Sequence, residues 1–498
     1  MEGGPTPFFY RHVPKNVLLV LLSVLCLPFS LGLTAIALLL RGWQKPNPSK
    51  EGGIHSGHKT ILVTGISMTK GLTIARLLAQ STPHRIIAAD TESVPFTSPG
   101  RYSRSIAKFY AIEEPINHKK SHYIQTLLNI LKSERVNLWI SCSSVTDAIE
   151  DGEVMKIAQE MLGSNFKAVQ FDRDAVEKLH EKDLLMDYLR SLGLAIPESH
   201  RCTSVGQVEQ ILSGVAARDG SGDGSQKRFI LKPIGVDDKA RAQMMTLLPL
   251  ARGGPAATSS YLESLNISPE RPFQLQQFIQ GPEYCTHSLV VQGRVKAFVA
   301  CPSSDLLMHY QALPPNSALN QKMLEFTEQV CRHEGESFSG HLSFDFLAEE
   351  TGEDATLYPI ECNPRAHTAV VLFRDTPQMA RAYLSLFTGR DVPESDVLAT
   401  PASPVDDYYW IGHDLVTFLI IPVLAFACGA GSFSEVQKGL KTLSYHLVYW
   451  RDGTFAIWDP LPFLILYHVY WPIRFGQSLA RGQQWSRLNV STTKMFQC

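Results

Sequence analysis

The longest apolar stretch comes first. Val17 to Leu40 reads VLLVLLSVLCLPFSLGLTAIALLL without a charge. As a helix those 24 or so residues span about 36 Å, enough to cross a hydrocarbon core ~30 Å thick. A cleaved signal peptide has a shorter apolar region, about 7–15 residues, ending in small residues. This run instead stops at Arg41-Gly42-Trp43. The pattern predicts a single transmembrane anchor over 17–40, with a buried core helix as the alternative. Arg11 and Lys15 precede the run, and Arg41, Lys45 and Lys50 follow it. The positive-inside rule therefore leaves its orientation open.

After a polar linker over 41–57 the pattern becomes that of a soluble α/β domain. Ile61–Gly65 reads as a buried strand. A helix follows around Gly71–Ala79, with Leu72, Ala75, Leu78 and Ala79 on one face. Arg85–Asp90 (RIIAAD) and Val136–Ser141 (VNLWIS) are further strands, with helical stretches around the latter. Strands alternating with helices predict a parallel sheet covered on both faces, a Rossmann-like domain over 58–170. The first turn reads TGISMTKG. It lacks GxGxxG, and because Lys70 precedes Gly71 it lacks the GxxxxGK[ST] order as well. The domain is expected to hold no dinucleotide, with Asp90 a strand-end or turn residue rather than a ribose ligand.

From about residue 171 the character changes. Asp174–Leu192 reads as one amphipathic helix containing Lys182. The glycine-rich Asp219–Ser225 (DGSGDGS) reads as a solvated linker. Phe229–Pro233 (FILKP) is a strand with Lys232 near its end. A lysine among buried apolar residues is costly unless its charge meets an anion. Near the C-terminus, Leu415–Phe433 is uncharged for about 19 residues, marginal for a second span. The run at 461–475 is aromatic and apolar but broken by two prolines. A membrane-associated C-terminal region over 396–498 fits both better than true spans.

Composition narrows the classes. The chain has 498 residues and a formal net charge of -2, so the basic face of a nucleic-acid binder is not expected. The nine cysteines are scattered and never form CxxC, which favours free thiols over a disulfide framework or a zinc site.

The chemistry gathers between residues 276 and 365. Gln276–Glu283 (QQFIQGPE) places an apolar pair before a glycine turn and an acid. His341–Leu347 (HLSFDFL) and Thr356–Glu361 (TLYPIE) read as two strands. Glu361 and Asn363, two apart, share a strand face. If the strands pair, Asp345, Glu361 and Asn363 converge as hard oxygen ligands suited to Mg²⁺. Arg365 follows, and a planar guanidinium suits the charge of a transferring phosphoryl group.

This ordered set resembles the ATP-grasp superfamily. The resemblance implies a pre-ATP-grasp domain followed by an ATP-grasp domain over 171–395, an α/β and α+β architecture. It implies that Lys182 and Lys232 contact the phosphates of ATP. Gln277, Phe278 and Ile279 would present backbone to adenine, Glu283 would hold the ribose, and Asp345, Glu361 and Asn363 would bind Mg²⁺. Gln276 departs from the acid common at that hinge, and Ser343 from an arginine found in some ligases. More narrowly, GPEYCTHS (Gly281–Ser288), LNISPERPFQLQQF, ECNPRAHT, TGISMTKG and DPLPFLILYH (Asp459–His468) look like the mycosporine-glycine synthase group. That likeness spans roughly residues 15–475. It implies ligation of an amino acid, typically glycine, to a cyclohexenone such as 4-deoxygadusol, with His287 and His367 beside Arg365 near the reacting groups. A carboxylate–amine ligase on the same scaffold is the alternative, and a non-catalytic ATP-binding membrane scaffold is the alternative outside enzymes. The need for ATP places the catalytic domains in the cytosol. The expected partners are a small-molecule acceptor, an amino acid and the membrane, with no nucleic acid.

Overall fold

The computed structural model describes residues 11–40, 57–113, 120–144, 147–218, 227–234, 246–303, 308–349, 355–387 and 397–497. Most of the 41–57 linker, the glycine-rich Asp219–Ser225 and Cys498 lie outside the described residues. The eight described cysteines are free thiols.

Helix α1 (His12–Leu40) starts before the predicted anchor and ends with it. It is long and apolar enough to cross a membrane, and most of its surface is not covered by protein. Its polar edge is covered. Asn16 is buried and its Oδ1 accepts from Trp485 Nε1 at 3.0 Å, while Ser23 Oγ donates to the Tyr467 carbonyl at 2.8 Å.

The run ILVT forms β1 (Thr60–Thr64), followed by α2 (Thr69–Ser81), β2 (Arg85–Thr91), β3 (Lys108–Ile112), α3 (Lys120–Ser133), β4 (Leu138–Ile140), α4 (Ala148–Leu162) and β5 (Lys167–Val169). These strands make one sheet in the order β3-β2-β1-β4-β5, parallel at every pairing. Strand β5 has only two consecutive apolar residues, Ala168 and Val169, too few to stand out in the sequence. Gly65 lies at φ +70°, and a Cβ there would come within 2.4 Å of the Cys142 carbonyl. The glycine thus serves a turn and close backbone packing.

The predicted single helix over 174–192 is two. Helices α5 (Arg173–His180) and α6 (Lys182–Ser191) meet at Glu181, whose φ -76° and ψ 125° are extended. Every residue around the break is compatible with helix, so nothing local marks it. The tertiary gain is visible: Asp183 turns inward to pair with Arg201 at 2.7 Å, and Lys182 opens α6 on the side of Glu361.

Strand β6 (Ser199–Cys202), α7 (Val205–Arg218), β7 (Phe229–Pro233), α8 (Gly254–Ser264) and β8 (Phe273–Gln277) follow, with an antiparallel sheet in the order β6-β8-β7. Then come β9 (Glu283–Val291), β10 (Arg294–Pro302), α9 (Ala318–Glu334), β11 (Gly340–Glu349) and β12 (Thr356–Asn363), with a second antiparallel sheet in the order β10-β9-β11-β12. Past α10 (Pro377–Leu384), the strand β13 (Tyr408–Tyr409) leads into the apolar helix α11 (Ile411–Ala427). Ser432 and Glu435 form a capping box that starts α12 (Phe433–Tyr449). Strand β14 (Arg451–Asp452) pairs with β13.

Among the described residues α1 is the one helix long and apolar enough to span; α11 stops short and turns back into α12. The prolines at 461–475 do not break the chain into pieces. Helix α13, over 461–481, runs through a π-helical segment at Leu466–Tyr470, two residues ahead of Pro472. Helix α11 has the same arrangement, π-helical at Leu415–Ile420 ahead of Pro422. A wider turn moves aside the carbonyl that a proline ring would otherwise strike. Strands β15 (Trp485–Asn489) and β16 (Lys494–Gln497) close the chain.

The C-terminal region is not an appendage. One core contains Ile61, Val63 and Ile140 from the parallel sheet, Leu289 and Val299 from the second antiparallel sheet, and Trp410, Phe475 and Trp485 from the last hundred residues. Asp459 is fully buried and binds Arg76 Nε at 2.8 Å, Ser103 Oγ at 2.6 Å and the Arg104 N–H at 2.9 Å. A buried ion pair with this many hydrogen bonds fixes one docking geometry.

Candidate active site

The strands β11 and β12 pair antiparallel with Asp345 opposite Glu361, beside a bulge between Asp345 and Phe346. Pairing of the two acid-bearing strands is therefore as the alternation predicts. Asn363 Nδ2 donates to Asp345 Oδ2 at 3.2 Å. The other oxygen, Asp345 Oδ1, is buried without a hydrogen-bond partner. Burial, followed by the charges of Glu361 and Glu283, pushes the Asp345 carboxyl well above its ordinary range. Two facing carboxylates with an orphaned buried oxygen are the state that a bound dication relieves, so Asp345 and Glu361 fit Mg²⁺. Asn363 fits with a condition. Its Oδ1 already accepts from Arg365 Nη1, so it would have to share that oxygen with the arginine.

Two lysines approach from the other side. Lys182 Nζ lies 3.8 Å from Glu361 Oε2. Lys232 Nζ donates to Gln276 Oε1 at 2.5 Å. Burial, then the charge of Lys182, lowers the Lys232 pKa to about 8. Gln276 is neutral, so it accepts this hydrogen bond without adding a counter-charge at Lys232.

The hinge is narrower than predicted. The N–H groups of Gln277 and Phe278 donate to the carbonyls of Glu198 and Arg228 at 2.8 and 2.7 Å. Neither N–H is left for a base. Glu283 opens β9 and is exposed, and its charge reaches both Lys232 and Asp345.

The histidines gather deeper. His287 is fully buried; its Nδ1 accepts from the His367 N–H at 3.3 Å, and its Nε2 has no partner. Burial holds its pKa well below the ordinary value, with His341 and His367 adding to the effect. His367 Nδ1 caps the short helix Thr368–Phe373 through Ala369 N–H, and burial with Arg365 lowers its pKa to about 3. His341 lies 5.4 Å from His287 ring to ring and pairs with the Tyr383 hydroxyl at 2.8 Å. These imidazoles are neutral at physiological pH and too weakly basic to serve as strong general bases.

One residue the sequence reading set aside belongs here. Lys70, in TGISMTKG, is buried and donates to the Ser143 carbonyl at 2.9 Å. Burial, then Arg365, lowers its pKa to about 7. Its charge is felt by His287, His341 and His367. A signal was available: a lysine in a glycine-bounded turn at the head of a strand-turn-helix. It lost its weight because no phosphate motif matched. The Thr69 N–H at the start of α2 donates to the Ser491 carbonyl at 2.8 Å. Asp90 is a strand-end residue of β2, its carboxylate accepting from the Ser67 and Thr91 N–H groups.

No family model and no curated protein matches the chain. Solved structures do. N5-carboxyaminoimidazole synthetase from Staphylococcus aureus, complexed with ADP, is 13% identical, with 70% of this chain and 80% of that one covered at a TM-score of 0.47. An L-amino acid ligase from Bacillus licheniformis is 13% identical over 64% and 69% of the two chains, at 0.41. A biotin carboxylase–ATP analogue complex from Campylobacter jejuni is 12% identical over 68% and 72%, at 0.48. Likeness at this level leaves the chain's own residues to decide its chemistry.

Proposed function

We propose that this chain is a membrane-anchored, ATP-dependent C–N ligase of the ATP-grasp type, with ATP held between the two antiparallel sheets. The observation that carries the reading is Asp345 opposite Glu361, with Lys182, Lys232 and Arg365 around them. In this reading residues 58–170 form the pre-ATP-grasp domain, 171–395 the ATP-grasp domain, and 396–498 the region that locks both to the anchor.

Lys182 and Lys232 would bind phosphate oxygens, Ile279 the adenine and Glu283 the ribose. Mg²⁺ held by Asp345, Glu361 and Asn363 would offset charge on the phosphates and promote phosphoryl transfer. The acceptor's carboxylate or enol oxygen takes the γ-phosphoryl group and ADP leaves. The amine then adds to the adjacent carbon, and phosphate departs carrying the acceptor's oxygen. Lys70 and Arg365 would hold the anionic acceptor in a buried site lined by neutral imidazoles, where each charge-assisted contact is stronger than in water. Most of the acceleration is positioning and electrostatics.

Within this class we favour a vinylogous acid, a cyclohexenone such as 4-deoxygadusol, with glycine or another small amino acid as the amine. The sequence phrases GPEYCTHS and ECNPRAHT support it, as do the positive groups Lys70 and Arg365 beside the buried imidazoles. A simple carboxylate would suit the same groups. The deciding assay supplies ATP and glycine with either the cyclohexenone or carboxylic acids, and follows enaminone absorbance together with ADP. ADP formed with carboxylates and not with the cyclohexenone reverses the choice. No acceptor-dependent ADP at all leaves a nucleotide-binding scaffold.

A further inference from the structure

A second group of metal-ligand side chains lies in the C-terminal region. Asp414 is fully buried; its Oδ1 is 2.8 Å from His309 Nε2 and its Oδ2 is 2.5 Å from His446 Nδ1. The ligand atoms of the three side chains all lie within 4.8 Å of one another. They come from three separate parts of the chain. His309 is fixed by the backbone bridge between Tyr310 and Tyr408, Asp414 ends the first turn of α11, and His446 lies in α12.

The packing that assembles them is specific. Gly439, Leu443 and His446 are the buried residues of α12, at the spacing of one helix face. A Cβ on Gly439 would stand 2.0 Å from the Phe418 carbonyl, so only glycine lets α12 approach α11 this closely. That approach brings His446 to Asp414, where α11 widens into its π-helical turn. Such turns often accompany functional sites.

The charge of Asp414 is met by the two imidazoles, through a proton on one of them or through an ion held by all three side chains. No lysine or arginine among the described residues forms an ion pair with Asp414, and a buried carboxylate is costly unless its charge is met. Trp450 stacks on His446 at 4.2 Å and meets His309 edge-on at 5.5 Å. Its buried indole N–H has no acceptor among the described residues. An N–H in that position suits a water or anion held on the open side of an ion. His309, 19% exposed, marks the side from which the site can be reached.

We propose that His309, Asp414 and His446 bind a divalent transition metal of zinc-like preference, separate from the oxygen-ligand Mg²⁺ site. Two imidazoles and one carboxylate are a borderline-soft set that favours zinc over magnesium. Zn–N and Zn–O bonds are about 2.0–2.2 Å, so the ion replaces both direct hydrogen bonds as a bridge. It fastens the α11–α12 hairpin to the central sheet and leaves a fourth position for water.

The test uses the full chain in detergent, stripped with a chelator, reloaded with Zn²⁺ in excess Mg²⁺, desalted, and measured for metal content and for folding. The expected result is about one zinc per chain, retained in Asp345→Asn and lost in both His309→Ala and His446→Ala. Zinc absent from the unaltered chain, or retained equally in both histidine variants, overturns the proposal. Should a histidine variant fail to fold, Co²⁺ titration of the unaltered chain decides. Intense visible bands of low-coordinate, nitrogen-ligated cobalt support the site, and only weak octahedral bands overturn it.

Discussion

Asp345 and Glu361 are cross-strand partners, one residue from a bulge, and the ion that would separate their charges is also what the chemistry needs. The pair makes a prediction with two parts of opposite sign. Asp345→Asn and Glu361→Gln should each abolish nearly all turnover. Without ATP and metal, Asp345→Asn should nonetheless melt no lower than the unaltered chain. The raised Asp345 pKa means its ionised form is penalised in the folded state at every pH above the ordinary carboxylate range. Removing that ionisation removes the penalty. Paired ADP assays and thermal melts check both parts, and a fully active Asp345→Asn enzyme rejects the metal assignment.

On the proposed reading Lys232 links ATP affinity to pH. Its pKa is held down to about 8, so it is charged at pH 7 and loses its proton as pH rises through that value. ATP binding requires the charge and should weaken between about pH 7 and 9, with proton uptake in the upper half of that window. Lys232→Ala should lose about 1.5–3 kcal/mol, or roughly 10–150-fold in affinity, together with that pH dependence. Calorimetry in buffers of different ionisation enthalpy reads both. An alanine variant with unchanged affinity makes Lys232 a structural residue.

On the proposed reading Lys70 separates acceptor binding from nucleotide binding. It lies on the parallel-sheet side, away from Lys182 and Lys232, and its charge acts on Arg365 and the histidines. Lys70→Met should lower kcat/KM for the acceptor by roughly 10–100-fold, about the worth of one charge-assisted contact. ATP affinity should be unchanged. Since burial already disfavours the Lys70 charge, the variant should fold at least as stably. Equal losses for ATP and acceptor would place Lys70 in a purely structural role.

What the sequence made legible follows from the range of each interaction. The acids at 345, 361 and 363 could be placed because strand alternation is local and the intervening chain is short. Strand β7, with both its bounds, was readable from FILKP. Lys70 and His341 could not be joined to them, because α2 and β11 are far apart in sequence and meet only through the chain after β4, Lys70 at the Ser143 carbonyl and His341 at the Ser141 carbonyl. The break at Glu181 was invisible for a related reason: its local sequence favours helix, and the contacts that reward the break lie elsewhere. The His309–Asp414–His446 group spans three segments with no motif spacing.

The anchor prediction changes once α1 is seen against its neighbours. Ser23 and Asn16 bind the C-terminal region, and the Lys15 ammonium lies 3.5 Å from the centre of a Trp485 ring. The opposite face is bare: Leu25, Phe29 and Leu39 are mostly exposed. One face thus suits protein and the other lipid. The hairpin of α11 and α12 also leaves Phe426, Phe433, Leu440, Leu447 and Val448 exposed, on helices too short to span. Such a surface suits the headgroup–acyl boundary, where attachment is reversible. Deleting residues 1–50 should therefore leave the chain sedimenting with vesicles at neutral pH but extractable by carbonate, whereas the full chain resists extraction. The deletion should also lower the melting temperature by a few degrees, since it uncovers Trp485 and unpairs the Asn16 contact. Ligation should persist, because every proposed site residue lies at or beyond Lys70. A truncated chain that stays wholly soluble with vesicles present assigns all membrane contact to α1. One that still resists carbonate makes the apolar run through α11 a second span.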